Sequence, residues 1–445
     1  MIRKLACSLI SAALLCGTAH AAPTLNGGGS SAVYPLYAAW FAAYTRAHPA
    51  DLFSYAAAGS GAGQNAFLTN KIDYFEPVSG ANTVGYASRT LTYGTIAGTQ
   101  VDFGASDAPL VSSQFAIAVN GSYDAYGITL DAYGNPIYDA YGNYIYASAT
   151  YGPLIQIPIL GEPVSIAYNQ SALTTTLPLT DAQVCHIFSG DYTTWNQVVS
   201  TLPATPITLV YRTDSSGTTY LLTQHLAAVC GTVNGVTFTA QKVFASEFPS
   251  GVPSNFVGES GSGDVASELV ATAGSIGALS PAYTSIAPLS ANTTSLKVAS
   301  LYNATTATYY QPTVANTELG LEHAGSTSTN LTAPSTNAVA MNPLNWVPLI
   351  ATTTAGYPIV GYTTLDLSSC YSKAGRGTFL INFLTAIFTT SYNTTAINNG
   401  FAPLSNITGG SSFVTAIADT FLSNAAGYTN PLNIDGTECS GLTGR

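Results

Sequence analysis

Charge is scarce in this chain of 445 residues: Asp, Glu, Lys and Arg together make up 7% of it. That excludes a disordered polyelectrolyte, which needs charge repulsion, and a nucleic-acid binder, which needs a basic surface. Cations are scarcer still, 11 against 22 acidic residues, so the surface repels polyanions at long range and any anion must be held by local groups. After the first 21 residues no run of eighteen uninterrupted apolar residues occurs, which leaves no stretch reading as a membrane-spanning helix. There is no Cys-x-x-Cys pair, no Gly-x-Ser-x-Gly elbow and no Walker loop, and His48, His186, His225 and His323 are scattered. The usual sequence signs of a zinc site, a serine hydrolase and an NTPase are therefore missing.

What is present begins with a leader. Met1-Ile2-Arg3-Lys4 is a basic start, Leu5 to Gly17 is apolar, and Ala19-His20-Ala21 is a small-x-small cleavage site, so residues 1–21 read as a secretory signal peptide. Leu15, before Cys16, is too large for a lipidation motif, which gives a periplasmic or secreted protein without a lipobox. Cleavage leaves nine cations against 22 anions, net −13, and four cysteines: Cys185, Cys230, Cys370 and Cys439. In an oxidising compartment an even number favours two disulfides, and of the three possible pairings proximity along the chain favours Cys185–Cys230 and Cys370–Cys439. Each would be worth about 3–4 kcal/mol in the chain-entropy account.

Short β-branched runs alternate with helical patterns through most of the mature chain, the mark of an α/β fold. Leu36, Trp40 and Tyr44 fall at i, i+4 and i+8 and predict an amphipathic helix directly after the loop Gly27-Gly28-Gly29-Ser30-Ser31. Ile207 to Tyr211 predicts a strand, followed by the polar loop Arg212-Thr213-Asp214-Ser215-Ser216-Gly217-Thr218 and an apolar-periodic segment through Leu221, Leu222, Leu226 and Val229. Both are strand–loop–helix units, which aim backbone N–H groups and the positive end of a helix dipole at a ligand. Between Asn120 and Tyr151 the composition turns tyrosine-rich, with Asp-Ala-Tyr-Gly at Asp124, Asp131 and Asp139, and reads as a surface β-hairpin insertion.

Two more strings complete the polar inventory: Gly59-Ser60-Gly61-Ala62-Gly63 and Val101-Asp102-Phe103-Gly104-Ala105-Ser106-Asp107-Ala108-Pro109-Leu110. Hydroxyls, backbone N–H groups, one arginine and one or two carboxylates are what a desolvated tetrahedral oxyanion requires. Carried by these strings, with Trp195 and Gly274-Ser275-Ile276-Gly277, the sequence resembles the periplasmic phosphate-binding proteins of phosphate ABC importers, within the two-lobed class of solute-binding proteins. The resemblance implies phosphate ligands at Ser31, Ala32 (backbone N–H), Ser60, Asp107, Arg212, Ser216, Gly217 and Thr218, with Asp214 holding the arginine.

Three departures stand out. Ser31 and Ala32 occupy positions where that family commonly has Thr and Phe, which keeps the hydroxyl and opens the cleft. About thirty residues near Lys71 to Gly98 are inserted before Asp107, and the tyrosine-rich segment is extra. Ile72-Asp73-Tyr74 echoes Val101-Asp102-Phe103, but only the second copy leads into Ser106-Asp107-Ala108-Pro109. Arg376, lacking such context, reads as exposed.

The expected architecture is α/β, a two-lobed, type II-like periplasmic solute-binding fold with the ligand cleft between lobes and a Tyr-rich β insertion. Lobe 1 would be discontinuous, 22–162 plus 357–445 with insertions near 71–98 and 120–151, and lobe 2 would be 163–356, the crossings near Gly161-Glu162-Pro163 and Gly356-Tyr357-Pro358. The expected function is extracytoplasmic binding of inorganic phosphate as the receptor of an ABC importer, by a monomer with no cofactor, no metal, no nucleic-acid partner and no catalytic residue. The alternatives are a secreted phosphatase and a surface adhesin on the same scaffold.

Overall fold

A computed structural model of the chain describes residues 24–75, 92–94, 99–111, 114, 127–128, 146–148, 150–287, 296–325, 331–371 and 375–445. The leader, and with it Cys7 and Cys16, lies outside these residues, as do the Asp-Ala-Tyr-Gly copies except Gly127 and most of the insertion near Lys71 to Gly98.

The alternation of strands and helices resolves into two main sheets. The larger runs in the order Thr92–Tyr93, Leu52–Ala56, Thr24–Gly29, Phe103–Ser106, Val360–Ser368, Gly152–Pro163, Tyr146–Ser148, Gly127–Ile128, with Ala402–Pro403 also on Gly152–Pro163. Its Leu52–Ala56, Thr24–Gly29 and Phe103–Ser106 strands are parallel, and Val360–Ser368 closes against them antiparallel. The smaller sheet runs Phe256–Glu259, Thr208–Arg212, Ser275–Leu279, Ser165–Asn169, Lys297–Val298, its first three strands parallel. These sheets form the cores of two lobes, the two-lobed α/β arrangement expected. The chain passes from one to the other between Pro163 and Ser165, and Tyr357 donates from its hydroxyl to the Val164 carbonyl at 2.8 Å, so the outgoing and returning segments lie side by side.

The helix Tyr34–Ala47 forms where the periodicity places it. Pro35 begins it at a position that needs no N–H donor, and Leu36, Tyr37, Trp40, Phe41 and Tyr44 are buried. Phe41 stacks on Phe53 with centroids 4.2 Å apart, fixing the helix to the strand Leu52–Ala56. Cys185 is joined to Cys230, which ties the helix Asp181–Phe188 to the end of the helix Gly217–Val229, and Cys370 is joined to Cys439. Of the tyrosine-rich insertion, Gly127–Ile128 and Tyr146–Ser148 are strands extending the larger sheet antiparallel from Gly152–Pro163. Among the described residues no helix is long and apolar enough to cross a membrane.

Arg376 is not exposed. It begins the helix Arg376–Ile387 at 5% exposure, and its guanidinium meets Asp102 Oδ1 at 2.6 Å, while Asp102 Oδ2 accepts the Asn26 N–H at 2.7 Å. A carboxylate as deeply buried as Asp102 demands a cation, and the tertiary fold brings one from 274 residues away. Arg445 is likewise fully buried, over the rings of Phe67 and Tyr151 with its N–H groups on Ser368, Asn70, Val101 and Phe67.

Candidate functional site

Every polar string singled out in the sequence lies at the carboxyl end of a parallel strand, where open α/β sheets gather their ligands. Four helices start there: Tyr34–Ala47 and Ser60–Thr69 from the larger-sheet lobe, Gly217–Val229 and Gly261–Ala271 from the smaller. Their N-terminal N–H groups and positive dipole ends converge from both sides of the interlobe cleft.

The smaller-sheet lobe supplies the cation. Arg212 ends the strand Thr208–Arg212 at 4% exposure, and its Nε donates to Asp214 Oδ1 at 2.6 Å while an Nη2 proton goes to Asp214 Oδ2. Its Nη1 donates to Ser262 Oγ at 3.0 Å. A guanidinium carries five N–H groups in a fixed plane, so this grip leaves two N–H groups held in place for a ligand. Asp214 Oδ1 also accepts the Gly261 N–H at 2.9 Å, tying the arginine to the start of the fourth helix. Ser216 caps the helix Gly217–Val229, its oxygen accepting the Thr219 N–H at 3.1 Å, and Thr218 Oγ1 is buried without a hydrogen-bond partner among the described residues. Gly217 has no room for a side chain, since a Cβ there would lie 2.6 Å from Ser60 Oγ and 2.7 Å from Asp107 Cβ.

The larger-sheet lobe supplies hydroxyls and a carboxylate. Asp107 follows the strand Phe103–Ser106 and is 1% exposed; its Oδ2 accepts Ser30 Oγ at 2.6 Å and Ser60 Oγ at 3.4 Å, and Ser60 Oγ accepts the Asp107 N–H at 3.2 Å. Burial raises the Asp107 carboxyl above its ordinary range, and the Ser30 hydrogen bond and the Arg212 charge work against that rise. The echo at Asp73 sits apart, exposed in the short turn Ile72–Phe75.

All the proposed ligand positions therefore come together in one cleft, but two differ in detail from expectation. The Ala32 N–H is directed to Ser30 Oγ at 3.2 Å. Ala32 also does not open the cleft: it is 1% exposed, because the opposite lobe closes over it, Ser280 Oγ donating to its carbonyl at 3.1 Å and the Tyr283 hydroxyl to the Ser31 carbonyl at 3.0 Å. Sequence reasoning missed Ser30, Ser262 and Tyr283. Ser262 was within reach of it, since Glu259-Ser260-Gly261-Ser262-Gly263 follows a strand and opens a helix as the other site loops do.

Residues 17–342 match the family model described as a PBP superfamily domain. Alkaline phosphatase L of Pseudomonas aeruginosa is 34% identical over 443 residues, 97% of this chain and 98% of that protein. A phosphate-binding protein from an unknown prokaryotic organism is 28% identical over 94% of this chain and 98% of its own length. Among solved structures, the high-affinity periplasmic phosphate-binding protein PfluDING, bound with phosphate, superposes with a TM-score of 0.70 at 26% identity, covering 95% of this chain and 99% of that one. The phosphate-binding protein of Stenotrophomonas maltophilia gives 0.69 at 27% identity, covering 95% and 100%.

Proposed function

The chain belongs to the PBP superfamily, and from that premise we propose that it is an extracytoplasmic receptor for inorganic phosphate, bound between the two lobes. The observation that carries this reading is the pairing of opposites in one buried cleft: Arg212, held by Asp214, on one lobe and Asp107 on the other. The ligand set is Ser31, Ala32, Ser60, Asp107, Arg212, Ser216, Gly217 and Thr218, joined by Ser262. A cation alone would accept any tetrahedral anion. The carboxylate accepts a hydrogen bond from monobasic or dibasic phosphate, whereas sulfate has no proton to donate and is repelled. The phosphate-binding names of the relatives and of the solved neighbours support the same ligand.

The lobes are taken as 22–162 plus 357–445 and 163–356. Delivery to an ABC-type importer is the role that fits such a receptor, and residues 1–21 are its cleaved leader. Calorimetry with phosphate, sulfate and a phosphate ester, on the parent and on Arg212→Ala, tests the reading. Removing the cation costs several kcal/mol, about two or more powers of ten in affinity; an Arg212→Ala protein binding within about threefold of the parent would place the site elsewhere.

Hydrolysis is the second reading, favoured by the name of the 34% identical relative. The solved neighbours of this fold are phosphate-binding proteins, and binding takes precedence. Among the described residues no three His, Cys, Asp or Glu side chains are grouped as metal ligands.

A further inference from the structure

Glu162 lies at the point where the chain leaves the larger sheet, next to last in the strand Gly152–Pro163 and opposite Gly361. It is 0% exposed, and no N–H or hydroxyl of the described residues reaches either of its oxygens; Asp107 Oδ1 is unmet in the same way. Ser106 pairs with Thr364 and Glu162 with Gly361 on the one strand Val360–Ser368, and across it the two carboxyls interact with each other. Two buried carboxylates in contact cannot both be ionised, so the pair holds one proton.

The surroundings decide where that proton sits. Asp107 accepts from Ser30 at 2.6 Å and from Ser60 at 3.4 Å, and both bonds favour its charged form, while Glu162 has no such donor. Arg212 acts on both groups, Thr363 favours the charged form of Asp107, and Tyr37 and Tyr55 lie in the field of Asp107 without supplying a cation. Burial pushes Glu162 well above the usual carboxylate range, and the Asp107 charge adds to it.

We propose that Glu162 is a positioning acid for Asp107: held neutral, it donates to the Asp107 carboxylate, keeps that group ionised, and so sets the rejection of fully deprotonated tetrahedral anions. Ser30 and Ser60 both occupy Asp107 Oδ2, which leaves Oδ1 to accept from Glu162 and from a ligand that brings its own proton. The inference rests on the phosphate reading for its consequence but not for the position of the proton.

The test uses two variants of the full mature protein. Glu162→Gln keeps a donor of the same shape, and Glu162→Leu removes it. Phosphate and sulfate are titrated calorimetrically from about pH 5 to about pH 9, a range set by the carboxyl shift in question. The Gln variant should retain the parent's preference for phosphate. The Leu variant should lose about tenfold or more in phosphate affinity, as one pKa unit implies, and gain sulfate binding that strengthens as the pH falls and Asp107 takes up a proton. Infrared difference spectra of the unliganded parent against Glu162→Gln at neutral pH should show loss of one protonated-carboxyl stretch, a readout independent of any anion and of whether the Leu variant folds. An unchanged acid band, or a Leu variant with the parent's phosphate-to-sulfate ratio across the range, would overturn the proposal. A parent that binds no phosphate sinks the receptor reading instead, and the infrared result still decides where the proton lies.

Discussion

The hydroxyl of Ser31 lies 3.2 Å from that of Ser262, and the Ser262 N–H donates to the Ser31 oxygen at 3.0 Å. One residue precedes the first helix of the larger-sheet lobe and the other opens the fourth helix from the smaller lobe, so this pair spans the cleft beside Arg212. Gly61 N–H to the Ser215 carbonyl, at 2.9 Å, is another bridge between the lobes. The residues that join the lobes thus overlap with the proposed ligand set.

Ser262→Ala should therefore weaken phosphate binding without unfolding the protein. It removes a hydroxyl from a charged donor, an interaction worth about 1.5–3 kcal/mol, and hence about tenfold or more in affinity. Titration calorimetry on the purified variant measures this, with thermal melting as the control for folding. Unchanged affinity would take Ser262 out of the site.

Arg376→Met should destabilise the fold far more than its surface-like sequence context suggests. It removes the guanidinium held 2.6 Å from the carboxylate of Asp102, which is 0% exposed, a change that costs about 3–5 kcal/mol. Urea unfolding reads the loss; the double variant Arg376→Met, Asp102→Asn should recover part of it, because the buried charge that Arg376 balances is gone.

The contrast between these residues shows what the sequence could reveal. Arg212, Asp214, Ser216 and Asp107 were legible because each stands in a local string whose loop geometry is set by its neighbours: a strand, a polar turn and a helix start. The helix Tyr34–Ala47 was legible for the same local reason, its apolar spacing. Arg376 and Arg445 were not, since Asp102, 274 residues from the first, and Phe67, 378 residues from the second, are among the partners that bury them. Glu162 read as part of a crossing segment, and nothing beside it in the chain announces that it will meet Asp107. The closing of Ser280 and Tyr283 over Ala32 was hidden too, because it depends on how one lobe meets the other.

Stability should depend on pH through Asp366. Burial pushes this carboxyl up to about 8, with the Lys242 ammonium pulling it partly back, and neither of its oxygens has a hydrogen-bond partner among the described residues. A folded pKa above the unfolded value means the contribution is fully present below about pH 4 and is lost as the pH rises toward about 8. Burial lowers Lys242 to about 8, so the unfolded lysine holds its proton to higher pH and this group's penalty eases only above about 8. Asp366→Asn does not titrate, so its melting temperature should gain on the parent's between about pH 4 and about pH 8. A constant difference across that window would mean that Asp366 is not shifted.

Asp107→Asn separates binding from hydrolysis. An amide can donate as well as accept, so a tetrahedral anion with no proton is no longer repelled, and sulfate binding should appear or strengthen. Phosphate binding should change less, since the amide oxygen still accepts the ligand's proton. Were Asp107 instead a general base or a metal ligand of a phosphatase, the same substitution would cut turnover of a phosphate ester by orders of magnitude. Both anions are titrated on one preparation, and ester hydrolysis is followed with and without added divalent metal. The receptor assignment expects sulfate affinity to rise while hydrolysis stays at background in parent and variant alike. Robust turnover in the parent that collapses in Asp107→Asn, with no gain for sulfate, would make this carboxylate catalytic. The buried contacts of Asp107 with Ser30 and Ser60 would then be orienting a reacting group rather than selecting a proton.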